Sequence, residues 1–267
     1  MGERGGEPVG ERGFGVAGTL DHGVVRQLAG VAEAAGYATF WVNDVPNGEG
    51  LAGLAAAAEV TGRIGLGVGV IPLDRQPPEK IADRVAELGL PVERLLIGVG
   101  SGAPAGGLER VRHGVATLRG LTPARVAVGA LGPRMCRLAG EVADVVLLNW
   151  LTPAYVPPSA ALTLDAAEEA GRPRPRIVGY VRVALDEGLE RLEAEAGRYG
   201  GLPAYAANFA RMGATALETT VNAADRAGLQ AGIVPYLPLL DETVVRCIAA
   251  EESAAAYRRV LEAAAPG

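Results

Sequence analysis

The stretch Arg94-Leu95-Leu96-Ile97-Gly98-Val99-Gly100-Ser101-Gly102 decides how the chain is read. Three large apolar residues run into glycines, a serine and a further glycine. The run reads as a strand buried on both faces, as in a parallel sheet. Gly100, Ser101 and Gly102 end it in a loop without side-chain bulk. Such a loop lets backbone N–H groups approach a ligand closely, phosphate above all. A tight glycine-rich turn from strand to helix is the other reading, and these residues alone do not separate the two.

Working outward, the same pattern recurs. Strands are expected at residues 14–18, 39–42, 64–71, 125–130, 144–149, 177–184 and 232–239, with residues 94–100 as the fourth of eight. Helical stretches fall between them. Asp21 is placed to cap the first helix. Gly36 stops it. A long helical stretch, about 189–227, is broken at Gly200, Gly201 and Gly213. Asp241 is expected to cap a final helix with Val244, Val245 and Ile248 on its inner face. Eight strands alternating with helices imply βαβ units around a parallel sheet. The expected fold is therefore α/β, a single-domain (β/α)8 TIM barrel over residues 14–267. It follows a loose, charged segment at residues 1–13. A doubly wound open sheet is the alternative.

Composition bounds the rest. The chain has 267 residues, 49% hydrophobic and 4% aromatic, so its core is built from small and β-branched side chains. The net charge is −6 and the basic residues are scattered. Nucleic acid is therefore not an expected partner. No apolar run is long enough to span a membrane. Two cysteines, Cys136 and Cys247, offer neither metal spacing nor a disulfide framework, and a reducing, cytoplasmic setting is expected.

In a barrel, chemistry sits at the C-terminal ends of the strands. Those ends are Asn43-Asp44, Val70-Ile71, Gly100-Ser101-Gly102, Ala130-Leu131-Gly132, Asn149-Trp150, Arg182 or Ala184, and Tyr236. Polar and glycine residues thus gather on one rim.

The order of these segments resembles the luciferase-like monooxygenase family, the flavin and deazaflavin enzymes related to bacterial luciferase. Carrying the resemblance are Thr39 to Asp44, Arg63 to Leu73, Arg94 to Gly102, Ala130-Leu131-Gly132-Pro133-Arg134-Met135 and Ala143 to Trp150. It implies a (β/α)8 barrel with a cofactor ring across its mouth: coenzyme F420, with FMN as the alternative. It also implies Asn43 and Asp44 close to the ring, and a non-prolyl cis peptide at Gly69–Val70 or Val70–Ile71. Gly100, Ser101, Gly102, Ala130, Leu131, Gly132 and Pro133 would serve the cofactor tail. Pro133 has no donor, so the helix N-terminus after it matters more. Many members carry histidine after the aspartate that closes the second strand; here Val45 stands there, which puts histidine-based proton transfer at that position in doubt.

Each signal has a plainer reading. Gly98 to Ala103 also fits G-x-G-x-x-A, but on the fourth strand and with no acid at a strand end some twenty residues later. Asp44 is a candidate general acid/base or a cap of the following loop. His22 is a candidate proton carrier or simply the first turn of a helix. His113 reads as surface, Arg182 as a paired structural cation, and both cysteines as small core residues. Trp150 either stacks on a ring or fills the barrel top. The candidate catalytic residues are thus Asp44 and His22. The candidate cofactor residues add Asn43, Gly69, Val70, Ile71, Asn149 and Trp150 to the tail set.

Three functions are in view. The first is hydride transfer between coenzyme F420 and a small organic substrate. The second is an FMN monooxygenase using reduced flavin and oxygen. The third is a barrel that binds a cofactor without turnover. Alanine-rich helices suggest a homodimer.

Overall fold

The computed structural model describes residues 10–267; residues 1–9 lie outside the described residues. β1 (Glu11–Ala17), β2 (Thr39–Asn43), β3 (Gly65–Pro72) and β4 (Leu95–Gly100) alternate with α1 (His22–Ala34), α2 (Gly50–Ala58), α3 (Pro78–Glu87) and α4 (Gly107–Leu121). β5 (Arg125–Ala130), β6 (Val145–Asn149) and β7 (Arg176–Leu185) alternate with α5 (Pro133–Val142) and α6 (Val156–Glu169). Then come α7 (Leu189–Gly200), α8 (Pro203–Met212), β8 (Val221–Ala223), α9 (Arg226–Ile233), β9 (Glu242–Cys247) and α10 (Ala254–Ala263).

All strand pairings are parallel. They run from β1 through β7 to β9, and β9 pairs back with β1, which closes an eight-strand barrel. The ninth strand, β8, pairs only with the C-terminal end of β7, from Val183↔Val221 to Leu185↔Ala223.

The final βα unit differs from the expectation. The eighth barrel strand is Glu242–Cys247, not residues 232–239, and the expected final helix from Asp241 begins only at Ala254. Val234–Leu239 is a 3-10 stretch, where Pro235 and Pro238 can donate no ladder hydrogen bond. Glu242-Thr-Val-Val-Arg-Cys247 is rich in β-branched residues. The apolar spacing of Val244, Val245 and Ile248 mimicked a helical face. Asp241 caps no helix; its carboxylate accepts the Ile177 N–H at 2.7 Å and pairs with Arg174. Cys247 is accordingly a strand residue. The first strand begins at Glu11, so residues 11–13 of the expected loose segment belong to the barrel.

Two cores follow from strand alternation. Phe40, Val42, Leu95, Ile97, Val99, Val126 and Val128 face outward to the helices. Trp41, Leu96, Ala127, Val145, Leu147, Val178, Tyr180 and Val244 fill the barrel's interior. Here large side chains occupy the room that glycines leave. A Cβ on Gly67 would lie within 2.6 Å of Trp41, and one on Gly69 would lie 2.6 Å from the Tyr180 hydroxyl. The two rings meet edge to face, 5.7 Å between centroids. Trp41 Nε1–H donates at 2.8 Å to Glu242, which is fully buried at the strands' N-terminal end. Burial raises the Glu242 carboxyl above its ordinary value, against the pull of Trp41 and Arg176.

Candidate active site

One cavity of about 380 Å³ opens at the C-terminal ends of the strands. Its floor is bare backbone. The Gly69–Val70 peptide is cis, one of the two positions expected, and the β3–β4 register shifts between Val68 and Ile71. Val70 lies across the neighbouring strands. Cβ atoms on Gly100 and Gly129 would approach it to 2.9 and 3.0 Å. Glycine backbone and the Val70 side chain thus form a flat seat, with Leu147 and Tyr180 beside Gly69.

Polar atoms line that seat. Asn43 Nδ2 donates to the Gly69 carbonyl, which fixes the amide, and its Oδ1 is buried without a partner. The Tyr180 hydroxyl is also buried without a partner, and burial pushes its pKa far up. Unpaired buried polar atoms are costly and rare, and these two belong to residues that line the cavity.

Asp44 lines the cavity with its carboxyl nearly buried. One oxygen accepts the Gly50 N–H at 3.1 Å and the other pairs with Arg75. Desolvation raises its proton affinity beyond what Gly50 and Arg75 restore. Asp44 thus also ties the end of β2 to the start of α2 and to the loop after β3.

The loop after β4 is held by charged side chains. The Asp74 carboxylate accepts the Ala103 N–H at 2.7 Å and lies against Gly102, whose φ of 64° would strain a side chain. Arg110 donates to the carbonyls of Ser101, Ala103 and Ala105. A second anion in this loop meets the charge of Asp74. The loop after β5 is different. Leu131 and Gly132 lead into α5, whose first turn carries no acid. Arg211 stands nearby, its Nη2 3.7 Å from the Cβ position of Gly132. The free N–H groups and dipole of α5 and the Arg211 guanidinium suit an anion.

Beyond the anticipated cofactor residues, α7, α8 and the strands β7 and β9 supply a wall, which includes Arg182, expected at a strand end and as a paired cation. Tyr180, Arg182, Glu195, Arg198, Tyr199, Tyr205 and Arg246 line the cavity. Arg182 Nε donates to Glu195 at 2.9 Å, another of its nitrogens donates to Asn149, and its guanidinium lies 3.7 Å from the centroid of Trp150. Burial opposes ionisation of Glu195, but Arg246 and Arg182 outweigh it and hold the carboxyl below its ordinary range. Tyr180 and Arg182, two apart on one strand, were legible as an inward-facing polar pair inside an apolar run. Glu195 gave no such sign, because acids on helices are ordinary.

Of the anticipated residues, Asn43, Asp44, Gly69, Val70, Gly100, Ser101, Gly102, Ala130, Leu131, Gly132 and Asn149 line the cavity. Four do not. Ile71 faces the outer core, since alternation turns it away from Val70. Pro133 lines a separate pocket of about 40 Å³ beside Arg211. Trp150 is fully buried beneath Arg182, between Tyr199 and Phe209, with φ of 55°. His22 is the exposed first residue of α1, beyond the Asp21 cap.

Among the described residues no group of His, Cys, Asp and Glu is arranged to hold a metal, and no helix is long and apolar enough to cross a membrane.

Solved structures share this architecture over nearly their whole length. A coenzyme F420-dependent tetrahydromethanopterin reductase from Methanopyrus kandleri is 18% identical, with a TM-score of 0.70, covering 95% of this chain and 99% of its own. An F420-dependent secondary alcohol dehydrogenase, in complex with an F420–acetone adduct, is 15% identical, with a TM-score of 0.75, covering 97% of this chain and 100% of its own. The oxygenating constituent of 3,6-diketocamphane monooxygenase from Pseudomonas putida, in complex with FMN, is 14% identical, with a TM-score of 0.70, covering 96% of each chain. At these identities the likeness is one of fold. The luciferase-like monooxygenase model matches residues 8–119 and 109–267. On that match across the barrel, the chain belongs to the luciferase-like monooxygenase family.

Proposed function

We propose that the chain is an oxidoreductase that holds coenzyme F420 across the barrel mouth and passes a hydride between it and a small organic substrate. The observation that carries the reading is the glycine floor around Val70, flanked by the unpartnered Asn43 Oδ1 and Tyr180 hydroxyl. The pyrimidine edge of a deazaflavin or flavin has one N–H donor and two carbonyl acceptors, which match an amide oxygen and a phenol. When bound, such a cofactor supplies the two-electron chemistry, and the protein supplies position and polarity.

Leu131, Gly132 and the start of α5 are assigned to the cofactor phosphate, with Arg211 as counter-charge. Gly100, Ser101 and Gly102 are assigned to the ring's seat, because Asp74 already supplies an anion to their loop. Arg134 and Arg211 are both exposed at that end, which favours the longer, carboxylate-bearing tail of the deazaflavin over FMN. Asp44 holds a proton more tightly than an ordinary carboxyl and is assigned to proton handling at the ring edge. His22 has no part in the assignment.

A fluorescence titration of the purified chain with coenzyme F420 and, in parallel, FMN tests the reading. Saturable binding of F420, weakened about tenfold by R211A, is expected. Preference for FMN moves the chain to a flavin monooxygenase, and binding of neither removes the cofactor assignment.

A further inference from the structure

Arg246 is a buried cation that the proposed cofactor reading does not use. It stands near the C-terminal end of β9, 6% exposed, on the cavity wall. Among the described residues its guanidinium donates only to the neighbouring Cys247 carbonyl. Among the described residues no carboxylate lies within 4.0 Å of it; burial opposes its charge and Glu195 attracts it from farther off, but Glu195 gives one oxygen to Arg182 at 2.9 Å and approaches Arg198 with the other at 4.0 Å. Asp44, the other acid on the cavity, is paired with Arg75. The wall therefore carries three guanidinium groups against a single carboxylate not already matched by a cation behind it.

Gly15 of β1 gives the Arg246 stem its room, since a Cβ there would lie 3.5 Å from Arg246 Cδ. The cofactor tail is assigned to the loop after β5. In the ring of eight strands β5 stands opposite β1, so the tail's charges are remote from Arg246.

We propose that the substrate carries a carboxylate and that Arg246 is the residue that selects it. A guanidinium presents paired N–H donors that match the two oxygens of a carboxylate. A neutral substrate would leave a buried cation unpaired, which disfavours its binding. The proposal rests on the hydride-transfer reading for what happens to the substrate, but not for its binding.

The test uses the full chain without added cofactor. Saturation-transfer NMR and calorimetry follow titration with benzoate and with benzamide, its neutral counterpart. Benzoate is expected to bind saturably, at least tenfold tighter than benzamide, and more weakly as salt is raised. R246M is expected to lose at least tenfold in benzoate affinity, R246K to lose less, and both to keep F420 affinity within twofold of the native chain. Benzoate binding no tighter than benzamide in the native chain overturns the proposal, whether or not the variants fold. So does R246M that weakens F420 while leaving benzoate unchanged. Loss of F420 binding in the native chain with the benzoate preference intact removes the cofactor reading and leaves the carboxylate site standing.

Discussion

Replacing Glu242 by alanine removes the acceptor that satisfies the indole of Trp41 at the base of the barrel. The Trp41 N–H gives a 2.8 Å bond and the Thr39 hydroxyl a 3.3 Å bond, all inside a site without solvent. Leaving such donors unpaired costs about 1–3 kcal/mol. The void left beneath Trp41 adds to that, and relief of burying the carboxyl subtracts. A net loss of about 3 kcal/mol is expected, which lowers the melting temperature by roughly 6–12 °C in a chain of this size. E242Q keeps an acceptor for Trp41 and is expected within about 1 kcal/mol of the native chain.

The carboxyl also leaves a pH signature. Burial raises it, so the folded chain holds its proton more tightly than the unfolded chain does. Its contribution to stability is complete below the unfolded pKa and is lost as pH rises through the folded one. Glutamine abolishes that slope. Thermal and urea unfolding of the native chain, E242A and E242Q between pH 5 and 8, followed by tryptophan fluorescence, read both effects. E242A melting within 2 °C of the native chain, or E242Q falling as far as E242A, would refute the reasoning.

Three further outcomes are expected. Gly98→Ala drives its methyl into the Val68 carbonyl oxygen and should abolish soluble folded protein, whereas Gly129→Ala meets only the Val70 methyls at 3.0 Å and should fold while losing cofactor affinity; equal expression and melting of the two would contradict this. Glu33 accepts N–H groups from Gly62, Arg63 and Ile64, and those bonds hold its carboxyl below the ordinary range. Its contribution is present above the unfolded pKa and is lost as pH falls through the folded one, so E33Q should flatten the acid limb of the stability profile; an unchanged limb would count against it. The homodimer expected from the sequence is checked by light scattering, and a solution mass of 27.3 kDa would remove it.

The barrel was legible because its strands are apolar on both faces and end in glycine or polar residues. One rim could therefore be read from strand ends alone, and Asn43, Gly69, Gly132 and Asn149 do line the cavity. The last βα unit was misread because Val244, Val245 and Ile248 fit a helical period as well as a strand, and only pairing with β1 and β7 decides between them. Ile71 was lost to the two-residue alternation of strands. Trp150 could not be separated from the cavity without knowing that Arg182 lies between them. Glu195, Tyr199 and Tyr205 come from helices after β7, where local sequence says nothing of what the far side of a barrel will present.

β7 runs on past β6. β6 pairs with it only as far as Tyr180, yet the strand continues to Leu185 and takes β8 along its free edge. β9 follows β7 as far as Val183, so on the β6 side alone five more residues add about 16 Å of strand length. The rim is therefore not level. It has a parapet, backed by α7 and α8, facing a low sill built from the glycine ends of β3, β4 and β5. The flat seat lies at the sill and the charged wall at the parapet, so changes at the sill are expected to alter how tightly a flat ring is held, and changes at the parapet which smaller guests stay beside it.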